Sequence, residues 1–360
     1  MSAPKPHPGA VRRAPLDIGR RRLVVGSDRL HLVLGARSVA VTLLACAVTA
    51  VLGVLALALG DFPLSSADVL GVITGETGGF ARTVVLEWRL PRAASAVLFG
   101  AALAVAGAVF QTLTRNPLAS PDIIGLANGS FTGMLIALLM LGGSWPLLTA
   151  GSLIGGLLAA VAIYLLAYRD GLQGFRFIVV GIGVSAVLSS FNTWMLLRAE
   201  LETALFASAW GAGTLNNVTV TTAVPAGICV VLLLALMPLL SPSLRQLDLG
   251  DDAARATGVR VARVRPAAIV VAVGLVSVVT SVAGPIAFVA LAAPQIARRL
   301  TRSPGIPFGA AGAVGALLLL GSDLIAQHVL PLTVPVGVVT IVLGGGYLVW
   351  LLIHQARNRT

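Results

Sequence analysis

Of the 25 basic residues in this chain only one, Lys5, is a lysine, and no Gly-x-x-x-x-Gly-Lys pattern occurs anywhere. A loop that cradles the phosphates of ATP is thereby excluded. Histidine is scarce too: His7, His31, His328 and His354 are the four, and none is spaced with a glutamate or cysteine to form a metal or nucleophile site. The two cysteines, Cys46 and Cys229, fall in separate apolar runs and read as inert core residues, not as a disulfide or a metal pair. No catalytic residues, cofactor or metal are expected, and a membrane-embedded enzyme is disfavoured.

Charge is the largest deficit. Charged residues make up 11% of the 360 positions against 57% hydrophobic, too little polar surface for a water-soluble domain of this length. The net charge of +11 would raise the question of nucleic acid, but the arginines sit between apolar runs and no aromatic side chains interleave with them to stack bases. Ionisable groups inside the apolar runs are nearly absent as well, which weighs against a transporter driven by protons or sodium. Asp323 is the main exception and is read as a helix-end or packing group ahead of a proton relay.

What is present is long apolar segments. At about 1.5 Å per residue and a hydrocarbon core of ~30 Å, roughly 20 residues make one crossing. Ten segments qualify, near 36–60, 92–114, 122–141, 146–168, 176–197, 219–240, 264–282, 285–298, 306–327 and 334–354. The break between the seventh and eighth is only Ala283-Gly284-Pro285, so merging them into nine is the alternative. Loop arginines decide: with the N-terminus inside, 21 basic residues lie in inner segments and four, Arg82, Arg89, Arg92 and Arg198, lie outside. Merging would put Arg298 to Arg302 on the wrong side. The expected fold is therefore an all-α polytopic membrane protein with ten transmembrane helices and both termini cytoplasmic. Residues 1–35 are expected to be an aqueous cytoplasmic tail without regular structure, and 36–356 one transmembrane domain.

Two connections are too long to be turns. In the outer one, Asp61 to Glu87, the run Ser65-Ser66-Ala67-Asp68 resembles a helix N-cap. The inner one, 241–265, reads as a loop around a short amphipathic helix, with Asp251 and Asp252 in its first turn and Gly258 as its stop. An ordered helix on an Arg-rich inner loop points to a docking surface for a soluble partner.

Three stretches do not read as generic lipid-facing helix. The first is Glu87-Trp-Arg-Leu-Pro-Arg92, the small-residue run Gly100 to Gly107, Gln111, and Arg115-Asn-Pro-Leu-Ala-Ser-Pro-Asp-Ile-Ile-Gly125. Its small residues allow close helix approach and its prolines force a break, which fits either a tight hairpin or a pore-lining hinge. The second is Leu249-Gly-Asp-Asp-Ala-Ala-Arg-Ala-Thr-Gly-Val259. The third runs from Gly284-Pro-Ile-Ala-Phe288 through Pro294-Gln-Ile-Ala-Arg298 to Gly321-Ser-Asp-Leu-Ile-Ala-Gln327 and Val334-Pro-Val-Gly-Val-Val-Thr340. In this order and spacing, over about residues 36 to 356, they resemble the permease family of binding-protein-dependent ABC importers for iron-siderophores, haem and cobalamin. The segments Thr83 to Arg92, Phe191-Asn-Thr-Trp-Met-Leu-Leu197, Glu200-Leu-Glu-Thr-Ala-Leu205 and Ala326-Gln327 are most similar to the G-type permease subunits of ferric-enterobactin and related catecholate-siderophore importers.

The resemblance implies an inverted repeat of spans 2–5 and 7–10. It also implies a complex with a second permease, a different paralogue in G-type systems, with two copies of a cytoplasmic ATP-binding-cassette ATPase, and with an extracytoplasmic substrate-binding protein. The chain would import a ferric siderophore across the inner membrane by alternating access. Asp251, Asp252, Arg255 and Gly258 would couple to the ATPase. Arg89 and Arg92 would dock the binding protein, and Gln111, Asn116 and Leu118, facing Gly174 and Phe175 in the 171–175 loop, would form the inner gate and pathway. Two departures stand out: Gln295 replaces a frequent histidine, and Gln327 replaces an outer arginine of cobalamin-type members. An ion-coupled secondary transporter relying on Asp323, a cobalamin or haem permease, and a structural scaffold are the competing readings.

Overall fold

In hydrocarbon the backbone N–H and C=O groups find partners only within the chain, so uncharged runs of leucine, valine and alanine fold as helices. The computed structural model describes residues 22–27, 30–122, 125–167, 174–330 and 334–357. Residues 1–21 of the expected tail lie outside them. Within the remainder, β1 (Arg22–Ser27) pairs antiparallel with β2 (Leu30–Gly35), from Arg22 opposite Gly35 to Ser27 opposite Leu30. The valines and leucines of this stretch suit paired strands better than a solvated tail.

Helix α1 (Ala36–Ala58) leads to α2 (Ser66–Thr74), which opens on the capping box foreseen at Ser65. The Ser65 hydroxyl and backbone N–H both donate to the Asp68 carboxylate and hold its pKa below the ordinary value. A short turn, α3 (Phe80–Arg82), a π-helical stretch (Thr83–Arg89) and α4 (Leu90–Thr114) then run on as one 35-residue helix. Next come α5 (Leu126–Met140), α6 (Trp145–Ala167), α7 (Gly174–Arg198) and α8 (Leu201–Gly211). They are followed by α9 (Val220–Ala235), α10 (Met237–Leu247), α11 (Asp251–Ala256), α12 (Val261–Ala283), α13 (Val289–Thr301), α14 (Phe308–His328) and α15 (Val336–Arg357).

Among the described residues six helices are long and apolar enough to cross a membrane, and α9 with α10, bent by 49°, makes a seventh. The two shorter apolar helices, α5 and the Val336–Trp350 part of α15, together with α13, occupy the positions of the other three expected spans. The third and eighth spans are short because each begins after a non-helical stretch, which among the described residues is 115–122 and 125 before α5 and 284–288 before α13. Both helices start from a left-handed residue, Gly125 at φ 92° and Phe288 at φ 68°. Broken spans at matching positions in two halves are what an inverted repeat produces.

The packing follows the same symmetry. α4 lies against α14 and α13, and its counterpart α12 lies against α6 and α5. α4 is the central helix: between Phe99 and Thr112 every residue except Ala101 is buried. Close approach requires glycine there. A Cβ on Gly100 would collide with the Gly315 backbone of α14, and one on Gly107 with the Ala290 backbone of α13. With apolar lipid outside and apolar core inside, this intimate van der Waals contact, not water exclusion, holds the bundle together.

Candidate functional site

Three places on the frame carry chemistry, two of them at opposite ends of α4. At its C-terminal end α4 stops on Arg115, left-handed at φ 52°. The expected 241–265 loop is shorter than the sequence implied, because α10 continues through Ser241 and Pro242 to Leu247, which extends the bent span. What protrudes is α11, entered through Gly250 at φ 117° and left through Gly258 at φ 86°. The two aspartates of its first turn part company. Asp251 accepts from Arg265 Nη2 at 2.7 and 2.9 Å and from Arg115 Nη2 at 3.1 Å, so it ties α11 to the start of α12 and the end of α4. Asp252 is fully exposed, and Arg255, 66% exposed, approaches it at 3.5 Å. Ala254 is buried beneath the helix, and the Thr257 hydroxyl bonds Gln246 to close the exit against α10. The result is a short helix clamped on one face and charged on the other.

Beside this end lies the stretch expected to form the inner gate. Asn116 Oδ1 accepts the Leu118 N–H at 2.9 Å, an Asx turn that fixes the chain reversal. Pro117 adds rigidity and Leu118 is left exposed. Of the residues expected opposite, 171–173 lie outside the described residues. Gly174 and Phe175 open α7, and the Phe175 side chain also lies outside what is described.

One turn up α4, Gln111 donates to Leu291 O of α13 at 3.1 Å and accepts from Gln295 Nε2 at 2.6 Å. Both amides are buried. Gln295, noted in sequence only as a departure, is therefore a neutral cross-link between corresponding halves of the repeat. It needs no titratable group.

At the N-terminal end of α4, Arg92 donates through Nε and Nη2 to both oxygens of Asp323 on α14, at 2.8 to 3.3 Å. Gln327 donates to the same carboxylate at 2.6 Å. The Asp323 side chain is 3% exposed and that of Arg92 19%. Arg89 donates to the carbonyls of Leu57, Ala58 and Phe62, which caps the C-terminus of α1. Both arginines, expected to face a carboxylate on a separate protein, hold partners within the chain. Asp323 is a structural counter-ion, in line with the packing role read from sequence.

Two features escaped the sequence. The Asp122 carboxylate accepts from the Ser120 hydroxyl at 3.3 Å and from the backbone N–H of Phe288, joining the two helix breaks of the repeat. Asn128, Thr132, Ser185 and Asn192 form a polar network that binds α5 to α7, with Thr132 Oγ1 to Asn192 Oδ1 at 2.6 Å and Asn128 Nδ2 to Ser185 Oγ at 2.7 Å. Amide and hydroxyl residues at helical spacing on two apolar segments were the available signal for that network. Nothing local marks the pairing of Asp122 with Phe288.

With this geometry in place, comparison with known proteins is decisive. The profile of the FecCD transport family matches residues 48–354. The chain belongs to that family. It is 44% identical over 310 residues, 86% of this chain and 94% of the relative, to the ferric enterobactin transport system permease protein FepG of Escherichia coli. It is 35% identical over 326 residues, 89% and 92% of the two chains, to the achromobactin transport system permease protein CbrC of Dickeya dadantii. Among solved structures, a metal-chelate type ABC transporter in an inward-facing conformation superposes with a TM-score of 0.77 at 23% identity, covering 88% of this chain and 99% of that one. At that identity the likeness concerns the fold. This family member is thus a multi-pass membrane transport subunit with an ABC-transporter permease fold.

Proposed function

We propose that the chain is the permease subunit of an ATP-driven importer that carries a ferric siderophore, of catecholate type, across the inner membrane. Its similarity to FepG and CbrC supports this substrate class over cobalamin or haem. Both termini are cytoplasmic in this reading, which places Arg115 and α11 inside and Arg92 outside, in accord with the arginine distribution. The partners are a second, different permease, two ATPase copies beneath the membrane, and a binding protein above it.

The single observation that carries the mechanism is α11, fixed through Asp251 to both α4 and α12 while Asp252 and Arg255 point to solvent. A groove on the ATPase receives this helix. When ATP closes the ATPase pair, the displacement of α11 passes through the Asp251 clamp into the two central helices of the repeat. The inner mouth at Asn116 and Leu118 closes as the outer side opens. The Gln111–Gln295 pair lets α4 and α13 move as one body.

At the outer end Arg89 and Arg92 shape the rim on which the binding protein docks, in addition to their internal contacts. Exchanging the pair as Arg92→Asp with Asp323→Arg preserves the bridge and moves the charges. It should weaken docking at low salt and much less at high salt. The Asp323 bridge also removes the main candidate for an ion-coupling group, which disfavours the secondary-transport alternative. The deciding experiment is purification of the chain with the products of neighbouring genes. An ATPase and a binding protein loaded with ferric catecholate support the proposal, whereas uptake that survives ATP depletion and collapses with the proton gradient refutes it.

A further inference from the structure

Two cavities meet at the Arg92 end. One, of about 420 Å3, is lined by Asp61, Phe62, Phe80, Trp88, Arg89 and Arg92 together with Asp323 and Gln327. The other, of about 450 Å3, is a groove between α1, α4 and α14 that includes Cys46, Thr49, Gly53, Leu57, Ala94 and Leu98. Apart from Thr49 and Cys46 its lining is wholly apolar. Ala93 borders both cavities, and the consecutive residues Ala56 and Leu57 carry α1 from one into the other. From Cys46 to Leu57 the groove follows about 16 Å of helix at ~1.5 Å per residue, close to the ~15 Å hydrocarbon depth of one leaflet.

The charges in the polar cavity sort themselves. Arg92 and Asp323 cancel each other at 2.8 Å. Asp61 and Arg89 are left: they attract each other across the cavity but form no ion pair within 4 Å, and the Arg89 guanidinium, which donates to three carbonyls, has no carboxylate against it among the described residues. Beside them Phe80 meets Phe62 and Trp88 edge-on, at 5.4 and 5.7 Å, and all three rings are exposed. One net cation, one net anion and an aromatic corner, at the mouth of a leaflet-deep apolar groove, match the two charges and the acyl chain of a zwitterionic lipid. We propose that the paired cavity binds one amine-headed phospholipid of that leaflet. An acyl chain lies in the groove, the phosphate lies against Arg89, and the ammonium lies between Asp61 and the ring faces of Phe80 and Trp88. Free phosphate would leave the groove unfilled, and a phosphatidylglycerol headgroup, whose terminal glycerol is neutral, would leave Asp61 without a cation. The site does not depend on which substrate the transporter carries.

Native mass spectrometry of the full-length chain in its assembled transporter, released in mild detergent from membranes containing phosphatidylethanolamine and phosphatidylglycerol, tests this. One phosphatidylethanolamine should remain bound per chain. Gly53 has open space where a side chain would go, so Gly53→Leu fills the groove and should lower occupancy at least tenfold. Asp61→Asn keeps the size of an exposed loop residue that makes no ion pair within 4 Å among the described residues, and should shift the bound lipid from phosphatidylethanolamine toward phosphatidylglycerol at least fivefold. Adding millimolar inorganic phosphate should displace nothing. Absence of retained lipid, equal retention in Gly53→Leu, or an unchanged lipid preference in Asp61→Asn would overturn the assignment, and if the first variant fails to assemble the second decides alone.

Discussion

The two ends of α4 are held by the same chemistry in opposite surroundings. At one end Arg92 and Asp323 pair side-on with a third donor from Gln327, and the carboxylate is almost sealed from solvent. At the other, Arg115 and Arg265 share Asp251, whose side chain is 27% exposed and which belongs to a six-residue helix instead of a full span. The first arrangement joins two long helices that Gly100 and Gly315 already press together, so it locks the body of the bundle. The second fastens a small, outward-charged piece to two long helices, as a device for passing on an external push would need. An arginine–aspartate pair is a weld or a linkage depending on what it attaches and how much water reaches it.

Breaking the weld should have the largest effect. Arg92→Ala strands a buried carboxylate and should cost about 3–5 kcal/mol, seen as a lower unfolding temperature in detergent. The double variant Arg92→Met/Asp323→Leu should recover most of that loss, because an apolar pair of similar volume can replace a buried bridge. If the single and double variants fell equally, the pair would matter for something other than burial of charge. Between the two ends, Gln295→Leu leaves Gln111 Oε1 without its donor and should cost roughly 1–3 kcal/mol, with Gln111→Leu/Gln295→Leu partly restoring stability. Asp251→Ala cuts the linkage. Solvent reaches this site, so the stability loss should be smaller, about 1–2 kcal/mol, and the measurement that separates it from Arg92→Ala is transport per ATP hydrolysed.

Much of this was legible in the sequence, for physical reasons that differ from place to place. Span number followed from apolar length and loop arginines, since the membrane imposes both. The Ser65 cap, the acidic start of α11 and its glycine exit follow local rules, and the structure shows each where it was read. The pairing of strands 22–27 and 30–35 is not evident from sequence because the strands are short and adjoin an arginine- and proline-rich stretch. The inner loop is shorter than the 241–265 expected because the apolar run ends near 240 while the helix continues past it, α10 carrying Ser241 and Pro242 on to Leu247. Partner choice was the least legible feature. Arg92 and Asp323 are 231 residues apart, and Asp122 meets Phe288 across two halves of the repeat. Scarcity of outer arginines marked Arg89 and Arg92 as special without revealing that each is engaged within the chain.

The central claim is that α11 transmits force while leaving the fold indifferent to its outer face. The double reversal Asp252→Lys/Arg255→Glu, made in the assembled transporter in proteoliposomes, tests it directly, because this pair is open to water, which screens its contribution to the fold. Uptake of the ferric catecholate delivered by the binding protein, measured alongside ATP hydrolysis, should fall at least tenfold per ATP consumed, with the unfolding temperature unchanged. Uptake per ATP equal to that of the unaltered chain would contradict the account and place the coupling surface elsewhere.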